Sequence, residues 1–142
     1  MSVDPYGTRL KAIKDSLVDV VESASSFQYN TSADYVVKVP NPGALIRLRR
    51  DVFDGVGPME TFHRTEFEIH VQFIDTHREA TLDKIIDYVG EIVDEIEADR
   101  DLSNSDVENT EILQIDYTRT VSQSALRHTA VILISVETLR NV

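Results

Sequence analysis

The chain has 142 residues, 42% of them hydrophobic, and a formal charge of −11 at pH 7. That length suits one domain with one real core, and no apolar run approaches the ~18 residues of a membrane-spanning helix. The lack of cysteine excludes a disulfide framework and any thiolate metal site, and the acidity excludes a nucleic-acid coat, because it repels the phosphates that dominate non-specific affinity.

The opening Met1-Ser2-Val3-Asp4-Pro5-Tyr6-Gly7 has neither the basic nor the apolar segment of a signal peptide, and the absence of cysteine fits assembly in a reducing cytoplasm. From about Thr8 to Ser23, Leu10, Ile13, Leu17, Val20 and Val21 form one stripe, and this predicts an amphipathic helix. A polar connection around Phe27 and Tyr29 follows. Two short strands are expected at Tyr35–Val39 and Ala44–Arg49, joined by a tight reversal at Pro40-Asn41-Pro42-Gly43. The second strand sets Ala44, Ile46 and Leu48 on one face and Arg47 and Arg49 on the other.

Asp51–His63 is expected as a projecting loop, since Gly55, Gly57 and Pro58 oppose a long strand. It carries Phe53, Met59 and Phe62, which either tuck back on the core or are kept for a partner. Glu66–Phe73 alternates strictly between polar and apolar residues and predicts a strand with one buried face. Thr76 and Glu79 match a capping box, so a second helix is expected from about His77. Its stripe is Leu82, Ile85, Ile86, Val89, Ile92, Val93 and Ile96, and Gly90 within it is expected where the helix closely approaches the sheet. Asp99–Thr110 reads as an acidic loop. Two strands close the chain: Ile112–Thr120, where Leu113, Ile115 and Tyr117 alternate with polar residues, and Thr129–Leu139, apolar on both faces over part of its length. The last is therefore central, or buried against another subunit. The fold class is α+β, a mainly antiparallel sheet of four to five strands packed against two helices in the order α-β-β-β-α-β-β.

The search for chemistry returns little. His63, His70 and His77 are spaced by seven, which in extended chain is roughly 23 Å per interval, while ligands of one ion lie within about 2 Å of it. Asp99–Asp106 echoes a calcium loop but has Asn104 at the position that needs glycine and Thr110 where a bidentate glutamate belongs. There is no nucleophile elbow and no phosphate-binding glycine motif. No enzyme, cofactor or metal is expected. Arg47, Arg49 and Arg50 form the one basic cluster, either paired with neighbouring acids or held for contact across a subunit boundary.

Over nearly its full length the chain resembles the tail terminator (tail-completion, minor tail protein) family of long-tailed bacterial and archaeal viruses. The resemblance lies in the Tyr6–Ile13 helix opening, the strand pair around Pro40 and Pro42, the Phe67–Val71 strand running into Thr76–Ala80 and a long helix, and the closing strand pair. It implies a structural virion protein acting as a single domain and assembled in the host cytoplasm. Six copies would form a ring that ends the tail tube and joins it to the head connector or stopper protein, with DNA passing through the lumen unbound and no membrane involved. Phe53, Met59 and Phe62, with Arg47, Arg49 and Arg50, are the candidate interface residues. A head-side neck protein (stopper or adaptor) is the nearest alternative, and a small dimeric α+β enzyme or ligand-binding domain is a further one.

Asp outnumbers Glu by 14 to 11 and Arg outnumbers Lys by 10 to 4, usage that resembles proteins of halophilic hosts. Carboxylates that dense repel one another when screening is removed. The midpoint of thermal unfolding is therefore expected to rise steeply from millimolar to molar KCl. An unchanged midpoint would refute the halophilic reading.

Overall fold

A computed structural model describes residues 5–24, 30–32, 43–57, 60–75, 81–121 and 126–141, without the side chains of 30–32, 54–57, 60–62, 75, 81 and 139–141. The elements are α1 (Tyr6–Ser23), β1 (Asn30–Ser32), β2 (Gly43–Gly57), β3 (Glu60–Asp75), α2 (Thr81–Ala98), β4 (Asn109–Val121) and β5 (Leu126–Asn141). They form one sheet in the order β1-β2-β3-β5-β4. Four strands are antiparallel to their neighbours, and the short β1 pairs parallel with the start of β2. This is the expected α+β class and element order.

β3 organises the packing. Phe67, Ile69, Val71 and Phe73 point to one face and are buried. Ala44 and Ile46 of β2 and Ala130, Ile132, Ile134 and Val136 of β5 lie on the same face, and the core they make is completed by Ile13, Leu17 and Val21 of α1 and Ile85, Val89, Ile92 and Ile96 of α2. Both helices therefore lie on one side of the sheet. The last strand is central, paired with β3 on one flank and β4 on the other; its helix-side residues are buried, while Val131 and Leu133 on the other face are partly buried.

Several expectations need correction. The Tyr35–Val39 strand and its turn at Pro40 to Pro42 fall outside the described residues, as does the capping box at Thr76 and Glu79. Asn30–Ser32, expected as polar connection, is an edge strand. Asp51–His63 is not an open loop. β2 continues to Gly57, β3 begins at Glu60, and the two pair along this length with one irregularity between Gly55 and Gly57. β5 reaches Asn141, opposite Glu60, so this end of β3 is hydrogen-bonded on both flanks. Those ladder bonds outweigh the roughly 1 kcal/mol that each glycine costs in a strand.

The α2 stripe is narrower than its seven apolar residues suggest. Ile85, Val89, Ile92 and Ile96 are buried, Val93 is partly buried, and Leu82 and Ile86 are exposed. The first four follow one line of a 3.6-residue helix, and the others stand to one side of it. Full burial of four side chains gives about 6–12 kcal/mol gross. After α2 the chain turns through Leu102 and Ser103, both with positive φ (53° and 51°). Asp99 fixes the turn by accepting from the Ser103 N–H and hydroxyl. Leu102 is fully buried, and that burial offsets the roughly 1–2 kcal/mol of a left-handed non-glycine residue.

Gly90 does not mark close approach to the sheet, for a Cβ there would meet nothing within 4 Å. Only the helix penalty remains. Gly90→Ala is expected to stabilise the chain by about 0.5–1 kcal/mol, read as a higher midpoint in urea. A loss of stability would show that something fills this space.

Candidate functional site

Register in the β2–β3 ladder decides what the two faces of the hairpin carry. Leu48 pairs with Phe67, but Arg50, not Arg49, pairs with Glu66. Arg49 is thus the extra residue of a β-bulge. It leaves Arg49 and Arg50 side by side, and both bond Glu66: Arg50 Nε donates to Oε2 at 2.9 Å and Arg49 Nη1 donates to Oε1. Glu66 is buried beneath two exposed guanidinium groups. Burial alone would push its carboxyl up. The hydrogen bonds from Arg50 and Arg49, with their charges, outweigh that and hold it below the ordinary 4.5. One rung further, Arg47 stands opposite Glu68, which accepts from His70 Nε2 at 3.1 Å. This helix-free face, expected to be wet at Glu66, Glu68, His70 and Gln72, in fact buries Glu66 and Gln72.

Beyond the bulge the opposite face carries a polar cluster that sequence reasoning missed. His63 Nε2 lies 2.8 Å from Asp51 Oδ1, and Nδ1 lies 3.0 Å from Thr138 Oγ1. Thr65 donates to the same Asp51 oxygen at 2.5 Å. A carboxylate can only accept, so Nε2 carries the proton. Phe53 stacks on the imidazole at 4.5 Å, and Tyr6, from the first turn of α1, lies 5.5 Å from it. Hydroxyl, imidazole and carboxylate in series have the composition of a nucleophilic triad. Thr138, however, is 1% exposed, so its hydroxyl cannot meet a substrate. The cluster ties β2, β3 and β5 together where the apolar core ends.

Of the expected interface residues, Phe53 is 58% exposed despite its stacking. Arg49 and Arg50 are exposed and Arg47 is half-buried. Met59, and the side chain of Phe62, lie outside the described residues. The arginines converge on the helix-free face and Phe53 lies on the other, so these groups do not form one patch. A groove of about 150 Å³ opens between α1 and β2, lined by Leu10, Ile46, Leu48 and Phe67 and rimmed by Lys11 and Lys14. At the far edge of the sheet, a bulge between Ile112 and Gln114 turns Leu113 outward, and Leu113, Tyr117 and Val121 are each about half exposed. His128, opposite both Phe73 and Arg119, is held below its ordinary 6.5 by burial first and the Arg119 charge second.

Glu66 stabilises the fold fully above its ordinary pKa, and the gain is lost as pH falls through the lowered native value. Glu66→Gln at pH 7 leaves two guanidinium groups facing each other. With both largely in solvent, a cost of about 1–2 kcal/mol is expected in urea unfolding. The gap between variant and parent should close as the pH falls below 4.5, where the parent carboxyl is itself protonated. A gap that persists at low pH would place the effect elsewhere.

No protein-family model matches the sequence, and no curated protein matches it. Among solved structures, the chain is similar to a chain from the virion of a native gene transfer agent particle, at 17% identity and a TM-score of 0.55, covering 94% of this chain and 99% of that one. At that identity the likeness establishes the fold alone, shared over nearly the whole of both chains.

Proposed function

We propose that this chain is a structural virion protein that closes into a ring at the end of the tail tube and joins it to the head connector. The observation that carries the reading is the shared architecture, which leaves almost no part of either chain unmatched. The surface supports it. Phe53, Leu48, Leu113 and Tyr117 are large apolar side chains at about half exposure on the two flanks of one sheet, where an enzyme would instead need a concave site with converging polar groups.

The ring has six copies in this reading. Together they carry about −66, and an acidic wall repels a duplex that must slide through the lumen. The tail tube protein and the connector or stopper are the partners, and DNA is cargo. The β2–β3 hairpin supplies Phe53 as an anchor on one face and Arg47, Arg49 and Arg50 on the other, with Met59 and Phe62 as further anchors of this reading.

The parent protein is expected to give closed rings in negative stain and a multiple of the monomer mass on sizing in molar KCl. Phe53→Ser combined with Phe62→Ser is expected to give a folded monomer. Intact rings from that variant would remove the hairpin from the interface, and a parent protein that stays monomeric at high concentration would refute the ring.

A further inference from the structure

We infer that the sheet continues from one copy of this chain into the next, the β4 edge of one pairing antiparallel with the β2 edge of its neighbour. The inference rests on the ring reading and names the contact that builds it.

Both lateral edges are open among the described residues. β4 pairs only with β5. β1 covers β2 only from Gly43 to Leu45, and among the described residues nothing pairs with this edge of β2 from Ile46 onward. Each open edge is on the order of 40 Å long at about 3.4 Å per residue. Natural edges of this length are blunted with charges, lysine above all, with proline or with bulges; neither Ile46–Gly57 nor Asn109–Val121 contains lysine or proline, and the charges they carry are of complementary sign at Arg47, Arg49 and Arg50 on one and Glu111 and Asp116 on the other. Bulges at Arg49 and Leu113 interrupt the two edges but leave Gln114–Val121 unbroken on β4.

Strand direction agrees. β3 is antiparallel to β2 and to β5, and β4 is antiparallel to β5. β4 therefore runs opposite to β2, and a second copy in the same orientation meets it as an antiparallel neighbour.

Chemistry agrees on both faces. On the helix-free face, β4 presents Glu111 and Asp116, and β2 presents Arg47, Arg49 and Arg50. On the helix face, β4 presents Tyr117 and Val121, and β2 presents Leu48 and the apolar groove with its Lys11 and Lys14 rim. Side chains alternate with period two, so a register that sets Asp116 among the β2 arginines also sets Tyr117 on the face of Leu48, with Arg119 beside it. In a chain of net charge −11, this is where a second acidic copy finds positive charge. The two edges are unlike, so the contact is head-to-tail, the kind that closes into a ring.

Leu48 and Tyr117 are 53% and 50% exposed, and the chain has no cysteine of its own. Leu48→Cys with Tyr117→Cys in one chain, with Leu113→Cys or Val121→Cys replacing Tyr117→Cys to scan register, is expected to give on mild oxidation a ladder of covalent dimers, trimers and higher species. Tyr117→Arg with Val121→Arg is expected to abolish assembly with an unchanged circular dichroism spectrum. Rings that survive the Tyr117→Arg/Val121→Arg change overturn this contact while leaving the ring reading intact. Disulfide-linked dimers formed by Tyr117→Cys alone overturn it in favour of a symmetric β4–β4 pair. A parent protein that never assembles overturns both.

Discussion

Because β3 is hydrogen-bonded on both flanks and sends Phe67, Ile69, Val71 and Phe73 into the core, its register cannot slip without exposing all four. The neighbours must fit it, and β2 does so by inserting Arg49. Without the bulge, with Arg49 on the regular rung opposite Glu66, alternation from Leu48 would turn Arg50 to the helix face and Asp51 to the open face. Glu66 would then be buried with one cation fewer, and His63 would lose its carboxylate partner. Removing one side of a buried charge pair costs several kcal/mol, far more than the local distortion of a bulge. The single extra residue therefore gives the hairpin one face with an arginine–carboxylate fork and another with a satisfied imidazole beneath Phe53.

The parts of this fold legible in the sequence are those where one period runs without interruption. The α1 stripe, the β3 alternation and the order of elements follow from local pattern because each element buries one continuous face. What escaped depends on contacts distant in the chain. Gly55 and Gly57 read as breaks because nothing local shows that β5 extends to Asn141 and holds β3 opposite them. The Asp51–His63–Thr138 cluster needs both the bulge parity and a partner 75 residues away. A signal existed all the same: His63 and Thr65 share the parity of Phe67, so a strand extended backward would have placed them on the helix face. The α2 stripe was too wide because seven apolar residues cover more of a helix than one sheet can bury, and pattern alone does not select Ile85, Val89, Ile92 and Ile96 over Leu82 and Ile86. Of the candidate site, the basic cluster was visible as composition. Its organising partner Glu66 was not, because alternation assigned that residue to a wet face.

The arrangement of charge bears on assembly as directly as the apolar patches do. β2 and β4 are separated by β3 and β5, about 14 Å at the usual strand spacing. On the helix-free face the sheet thus has arginines on one flank, at Arg47, Arg49 and Arg50, and carboxylates on the other, at Glu111 and Asp116. Two copies of so acidic a chain repel at long range, and the repulsion grows as salt is withdrawn. Contact becomes favourable only in orientations where local attraction exceeds it. Two β4 edges bring Glu111 and Asp116 against their own copies, and two β2 edges bring guanidinium groups together; both are penalised by like charge. Unlike edges meet as opposite charges, with Tyr117 and Leu48 able to bury apolar area behind them. The same distribution that disfavours a symmetric dimer therefore fits the proposed head-to-tail contact, in which each addition would renew the two edges it consumes until the rotation per subunit brings the last β4 to the first β2.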